Sequence, residues 1–256
     1  MHGPAAEIRR NEIENRLKRG LPVNATALAE EFLVSEDAVR RDLRALAAEG
    51  KCKRVYGGAM PLSPEGGPLE QRILNDVYEK RALSLAALSL LSEASMMFLD
   101  SGSTNLALAH EIPLDRPLTV VTNSILIAAA LLERKNLKVI VIGGEIDADT
   151  GAAIGPSAIR EVERFNFDLS FLGACAASVS LGLGAFQLAD AEFKRTLIER
   201  SERVAALITI DKLETRAPFQ FAALAALDHV VLEHNTPDQI LSTFCEAGPD
   251  VILSKP

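Results

Sequence analysis

Cysteine is scarce and scattered in this chain. Cys52, Cys175 and Cys245 are odd in number, and no two have the spacing of a metal or redox pair. That argues against a disulfide framework and predicts a reducing, cytoplasmic home. Histidine is equally dispersed. His2, His110, His229 and His234 form no ligand pair, so no metal is expected. Long apolar runs are missing too: the longest, around Leu83–Leu91 and Ile125–Leu132, are too short to span a bilayer. Glu7, Arg9, Arg10 and Glu12 come too early for the apolar core of a signal peptide. Internal repeats and low-complexity tracts are absent. Neither a metal, a cofactor nor a membrane partner is expected.

What is present is the make-up of a globular protein. The 256 residues are 48% hydrophobic and 24% charged, and that length suffices for two domains with cores of their own. The net charge of −8 is unevenly spread. Residues 1–59 hold 11 basic and 9 acidic side chains, a net of +2, whereas residues 60–256 carry a net of −10. Only the N-terminal segment suits a polyanion, and its basic residues cluster between Arg40 and Arg54. The acidic body argues against non-specific coating of nucleic acid.

The stretch Ser35–Ala59 reads S-E-D-A-V-R-R-D-L-R-A-L-A-A-E-G-K-C-K-R-V-Y-G-G-A. Ser35 can cap a helix N-terminus, Glu36 and Asp37 suit its first turn, and Gly50 supplies a left-handed stop. Val39, Leu43 and Leu46 share one face, with Arg40, Arg41 and Arg44 largely away from it. Lys51, Lys53 and Arg54 then lie on a basic two-strand hairpin. Upstream, Asn24 or Thr26 can cap a helix through Ala27, Leu28, Ala29 and Phe32, and Leu33-Val34 is a short turn. Before that, Ile8, Ile13 and Leu17 mark a helical face in residues 8–19. Three short helices with a tight turn before the third form a helix-turn-helix pattern, and the hairpin is a wing.

Gly57-Gly58, Pro61, Pro64, Gly66, Gly67 and Pro68 make a linker, set at residues 60–70. One helix is expected from Leu69 to Ser92. Beyond it, strands are expected at 96–99, 118–121, 138–142, 169–172, 204–210, 230–232 and 251–253. Helices are expected at 105–111, 124–134, 156–165, 191–201 and 237–246. Apolar strands alternating with helices predict an α/β domain over 71–256, a doubly wound, mostly parallel sheet. Gly182 and Gly184 read as a flexible loop.

Three strand-end loops carry polar groups. Asp100-Ser101-Gly102-Ser103-Thr104-Asn105 combines a turn glycine, hydroxyl donors and a helix start, an arrangement suited to an anion. Thr122-Asn123-Ser124 repeats the theme, and Gly143-Gly144-Glu145 is the third. At successive ends of one sheet they would converge on one crevice, suited to a phosphate or sugar phosphate. Asp190, Glu192 and Lys194 open a later helix, and Asp211-Lys212 follows another strand. Lys194 and Lys212 are either surface residues or point charges for a phosphate.

Together these segments resemble the DeoR family of transcriptional regulators. The likeness rests on V-S-E-D-A-V-R-R-D-L-R-A-L-A-A-E-G with R-V-Y-G-G-A, then on D-S-G-S-T-N, V-V-T-N-S, V-I-G-G and F-L-G-A in order. It covers nearly the whole chain. It implies a winged helix-turn-helix joined to a sensor related to phosphosugar isomerases such as ribose-5-phosphate isomerase. Such a protein usually represses a sugar-catabolic operon and is relieved by a phosphorylated sugar. Carried over, the DNA contacts fall on Ser35, Glu36, Asp37, Ala38, Arg40, Arg41, Arg44, Lys51, Lys53, Arg54 and Tyr56. The effector contacts fall on Asp100, Gly102, Ser103, Thr104, Asn105, Thr122, Asn123, Ser124, Gly143, Gly144, Asp190, Lys194 and Lys212. Tyr56 stands where the family has His, Ala38-Val39 where it often has Thr-Ile, and Asp211-Lys212 where it usually has S-K.

The implied partners are double-stranded operator DNA, a phosphorylated sugar effector and further copies of the chain, as a dimer or tetramer. The rival reading is a sugar-phosphate isomerase or deaminase carrying an accessory DNA-binding domain. That chemistry needs a tuned carboxylate base with a partner acid. Asp190 and Glu192 are the candidates, but no histidine accompanies them and no isomerase signature is complete. No catalytic residue is therefore assigned.

Overall fold

The computed structural model describes residues 4–18, 23–55, 57–61, 69–113 and 117–256. The N-terminal unit contains α1 (Pro4–Lys18), β1 (Val23–Asn24), α2 (Ala25–Glu31), α3 (Glu36–Ala48), β2 (Cys52–Val55) and β3 (Gly58–Pro61). Asn24 is the cap of α2, its side-chain oxygen accepting from the amides of Thr26 and Ala27. Ser35 caps α3 by accepting from the Ala38 amide at 3.3 Å. Gly50, at φ +69°, turns the chain out of α3. The three strands pair antiparallel in the order β1-β3-β2. Ile13, Leu17, Val39, Leu43 and Leu46 fill the core of this unit. Ile8 does not join them: it is 70% exposed, because the apolar stripe of α1 begins only at Ile13.

The expected helix over 69–92 is broken. It is α4 (Leu69–Leu74), α5 (Val77–Ala87) and a 3-10 turn (Leu88–Glu93). Asp76, left-handed at φ +50°, separates the first two. Its short polar side chain tolerates a conformation that ends a helix.

The remaining elements are β4 (Met96–Leu99), α6 (Ser103–Glu111), β5 (Leu118–Thr122), α7 (Ile125–Leu131), β6 (Leu137–Val141), β7 (Ile146–Asp147), β8 (Ala152–Ala153), α8 (Pro156–Val162), β9 (Leu169–Leu172), β10 (Ala176–Ser178), β11 (Gly182–Ala185), α9 (Leu188–Glu199), β12 (Val204–Ile208), β13 (Phe219–Ala222), β14 (His229–Leu232), α10 (Asp238–Glu246) and β15 (Asp250–Leu253). Seven strands form one parallel sheet in the order β15-β14-β12-β9-β4-β5-β6. The mixed α/β class and the parallel sheet agree with the expectation.

Alternate residues feed two cores. Met97, Leu99, Val120, Leu169 and Phe171 face α5, α6 and α7. Phe98, Val121, Leu172, Ala206 and Ile208 face α8, α9 and α10. Phe98 meets Phe167 edge-on at 5.2 Å and Phe193 at 5.8 Å between ring centroids. Burial on both faces is why these strands read as largely apolar runs.

The chain starts the sheet at β4, winds one way through β5 and β6, then returns to β9 and winds the other way. The reversal leaves a crevice at the carboxyl ends of β4 and β9, where such sheets take their ligands.

Two further strand groups lie outside the expected strands. Residues 143–155 contain the β7–β8 hairpin. Gly182 and Gly184 lie in β11, the middle of a three-stranded sheet ordered β10-β11-β13. Gly182 sits at φ +68°, and a Cβ on it would fall 2.0 Å from the Ala222 carbonyl oxygen. Gly182→Ala should therefore cost more than about 1 kcal/mol. A lowered midpoint of thermal unfolding, with the wing unaffected, is the expected outcome.

Candidate functional site

The N-terminal unit presents its basic residues on one helix and one strand. Arg40, Arg41 and Arg44 are exposed on α3, opposite buried Val39, Leu43 and Leu46. The arginines of α1 are committed elsewhere. Arg9 pairs with Asp42 at 2.7 Å, and Arg10 with Glu49. Arg16 pairs with Glu31 and lies over the Phe32 ring at 5.7 Å. These pairs fasten α1 to α2 and α3 and leave the arginine face of α3 open.

Not every predicted contact is equally available. Glu36 pairs with Arg40 at 2.6 Å and accepts from the Thr26 hydroxyl at 2.8 Å. Arg44 donates its Nε to the Arg40 carbonyl at 3.2 Å. Lys51 is held by Glu14 at 2.8 Å and by Glu49 at 3.2 Å. Arg41, Lys53 and Arg54 make no ion pair among the described residues, and all three are exposed. Asp37 is exposed and Ala38 partly so. Tyr56 lies outside the described residues.

The second cluster is the crevice between β4 and β9. Asp100 follows β4 and is fully buried. Its Oδ2 accepts from the Gly173 amide at 2.9 Å and lies 3.5 Å from Lys194 Nζ. Its Oδ1 accepts from Asn123 Nδ2 at 3.3 Å. Lys194, only 3% exposed, also bonds Asp190 one turn earlier on α9. Its ammonium lies 5.7 Å from the Phe221 ring centre.

Burial alone would lower the pKa of Lys194. Asp100, then Asp190 and Cys175, outweigh it and hold that pKa above the ordinary lysine value. The charge is thus constant through neutral pH. Because the folded pKa is raised, its stabilising contribution is present below about 10.5 and fades only above that pH.

Asn123 is the hub on the β5 side. Its Oδ1 takes the Ser101 amide at 3.1 Å. The Thr122 hydroxyl accepts from the Ser124 amide at 3.1 Å, and the Ser124 hydroxyl caps α7. Asn105 uses its amide on the carbonyls of Asp100 and Phe171, at 2.9 and 3.1 Å. It braces the loop.

The N-terminus of α6 is the open part of the crevice. Gly102 precedes it at φ +141°, and a Cβ there would meet nothing within 4 Å. No side chain caps this helix, so its first amides point outward unpaired within the helix. Thr104 Oγ1 is buried with no hydrogen-bond partner among the described residues. Outward amides and an unpartnered hydroxyl can together receive an anionic oxygen.

Asp100, Gly102, Ser103, Thr104, Asn123, Asp190 and Lys194 thus come together around the switch point, with Thr122 and Ser124 beside them. Gly143 and Gly144 are exposed beyond β6: the Gly143 amide donates to Glu161 on α8 at 3.0 Å, and a Cβ on Gly144 would fall 2.9 Å from Ser157 Oγ. Lys212 is buried in a 3-10 turn after β12, one strand beyond β9. Both lysines are therefore buried rather than on the surface.

Gly173 was missed as a site residue. A Cβ on it would fall 2.4 Å from the Ser101 carbonyl oxygen, so only glycine lets β9 reach the Asp100 loop. The signal was present: a glycine directly after an apolar strand marks a close backbone approach.

The model of the DeoR C terminal sensor domain matches residues 75–234, and that of the DeoR-like helix-turn-helix domain matches residues 9–65. The chain belongs to the DeoR family. The HTH-type transcriptional regulator GlpR of Haloferax volcanii is 34% identical over 204 residues, 79% of this chain and 80% of that protein. The L-fucose operon activator of Haemophilus influenzae is 32% identical over 221 residues, 86% and 88% of the two chains. The glycerol-3-phosphate regulon repressor of Escherichia coli is 27% identical over 239 residues, 93% and 95%. DeoR-family membership makes this a helix-turn-helix transcriptional regulator. Among its described residues, no helix is long and apolar enough to cross a membrane.

Lys194→Met leaves Asp100 and Asp190 facing each other without their cation. It should destabilise the sensor by about 3–5 kcal/mol. Adding Asp100→Asn to the same chain should recover part of that loss, measured by urea unfolding.

Proposed function

We propose that this DeoR-family protein represses a sugar-catabolic operon and releases it when a phosphorylated sugar enters the β4–β9 crevice. The observation that carries the reading is the uncapped N-terminus of α6, with the buried, partnerless Thr104 hydroxyl in its first turn, at the reversal point of the sheet. The phosphate would take the amides of the 102–104 turn. The sugar hydroxyls would face the Asp100–Lys194–Asp190 group. Two relatives carry names that support a small polyol or sugar derivative: one is a glycerol-3-phosphate regulon repressor, the other an L-fucose operon activator. The second also fits an activating role, so transcription of the target operon decides the sign.

On DNA, Arg40, Arg41 and Arg44 would approach the major groove while Lys53 and Arg54 set the wing on the backbone. At least two copies would read two half-sites. The ligand must bind the DNA-competent and the released arrangements with different affinity, or nothing shifts. The enzyme reading has no observation in its favour, and the relatives are regulators by name.

Arg41→Ala should weaken a selected operator duplex about tenfold to a hundredfold in gel shift, with unchanged circular dichroism. Unaltered affinity would remove α3 from the interface. Thr104→Val deletes a hydroxyl that has no partner, so thermal stability should hold or rise slightly. The thermal shift produced by a sugar phosphate should weaken by about tenfold in concentration. A variant that responds like the parent would place the effector elsewhere.

A further inference from the structure

Resting on that reading of the crevice, we propose that the β7–β8 hairpin is a strap that couples crevice occupancy to α4, the first described element after the wing. Contacts from three directions meet on it.

From the crevice, Asn123 holds the hairpin at two points. Its carbonyl accepts from the Ala153 amide at 3.0 Å, and its Nδ2 donates to the Ala153 carbonyl at 3.3 Å. Ser124 and Ala152 form an antiparallel bridge beside them. The same Asn123 side chain holds Asp100 and the Ser101 amide. A ligand that moves either must reorient Asn123, and with it Ala153.

From α9, Gln187 precedes the helix that carries Asp190 and Lys194. Its Nε2 donates to Asp147 Oδ1 at 3.0 Å. That oxygen also takes the Thr150 amide at 2.8 Å and the Thr150 hydroxyl at 3.0 Å. Burial would raise the Asp147 carboxyl, but these hydrogen bonds hold it below its ordinary value. Both walls of the crevice therefore end on one hairpin.

From α4, Arg72 is 7% exposed and donates to the Asp149 carbonyl at 2.9 Å. Leu69 is seated on Gly151, where a Cβ would fall 2.5 Å from Leu69 Cδ2. Lys80, itself buried, donates to the carbonyls of Arg72 and Asn75 at 2.6 and 2.7 Å, tying α4 to α5. The hairpin strands are two residues each. An element that short is among the easiest to displace as a unit.

The full-length protein tests the strap in two ways. In Arg72→Met, amide exchange should accelerate at least about fivefold at Ala153 and Ser101 as well as at 149–151, with β14 and β15 unchanged. Acceleration confined to α4 and the 149–151 turn overturns the proposal. Gln187→Ala, which touches only the other wall, should loosen the same hairpin amides. If it leaves them unchanged, the proposal fails.

The second arm uses a selected operator duplex in gel shift, titrated with glycerol 3-phosphate, ribose 5-phosphate and fructose 1-phosphate. Arg72→Met should keep operator affinity and sugar-phosphate thermal shift within about twofold of the parent, while the ligand-induced change in operator affinity collapses below about twofold. Full ligand response in Arg72→Met also overturns it. If the unmutated protein responds to none of the three, the effector reading is what fails, and amide exchange alone decides the strap.

Discussion

The sensor turns on a buried carboxylate. Asp100 lies at the reversal of a parallel sheet with no exposed surface, and a charge in that position needs partners on every side. It has them from three separate segments: the Lys194 ammonium of α9, the Gly173 amide after β9 and the Asn123 amide after β5. Each partner commits its own segment. Lys194 is shared with Asp190, Gly173 can be nothing larger, and Asn123 must present both ends of its amide. The crevice walls are positioned by that one electrostatic requirement, and the open end of α6 is left as the part with unmet hydrogen-bonding capacity.

The strands of the large sheet were readable because β4, β5, β9, β12 and β14 are largely buried on both faces and hence mostly apolar, with only a Thr, Ser or His among them. The winged unit was readable because its caps, its turn and its left-handed Gly50 are local features. The β10-β11-β13 sheet was not. β10 and β11 hold mostly Ala, Ser and Gly in place of branched apolar residues, so a glycine pair that reads as flexibility is instead a close packing of backbones. The break at Asp76 was hidden for a different reason: an aspartate inside a helical pattern carries no sign that its φ is positive. The loops at 100–105 and 122–124 were recognised from their polar residues. The roles within them were not, because hydroxyls and amides that brace a loop look the same in sequence as those that face a ligand. Asn105 and Ser124 brace, whereas Thr104 has nothing to brace against.

Charge divides the molecule as its composition indicates. The acidic surplus lies in the sensor half, and the positive groups on α3 and β2 are kept open because the arginines of α1 are neutralised by carboxylates of α2, α3 and the turn that follows. The same ion pairs hold the wing side of the unit together: Lys51 ties the start of the hairpin back to Glu14 on α1. Structure and recognition thus draw on one pool of basic residues.

That shared pool has a consequence for counterions. Six basic residues, Arg40, Arg41, Arg44, Lys51, Lys53 and Arg54, lie on α3 and the wing. Arg40 and Lys51 already have carboxylate partners, so any phosphate they meet is gained by exchanging one anion for another. Such an exchange sheds no net cation from the duplex atmosphere in the way an unpaired side chain does, at roughly 0.9 ions per phosphate. The ionic-strength dependence of binding should therefore be shallower than a count of lysines and arginines implies. A larger share of affinity would then rest on shape and base contacts that salt does not erode.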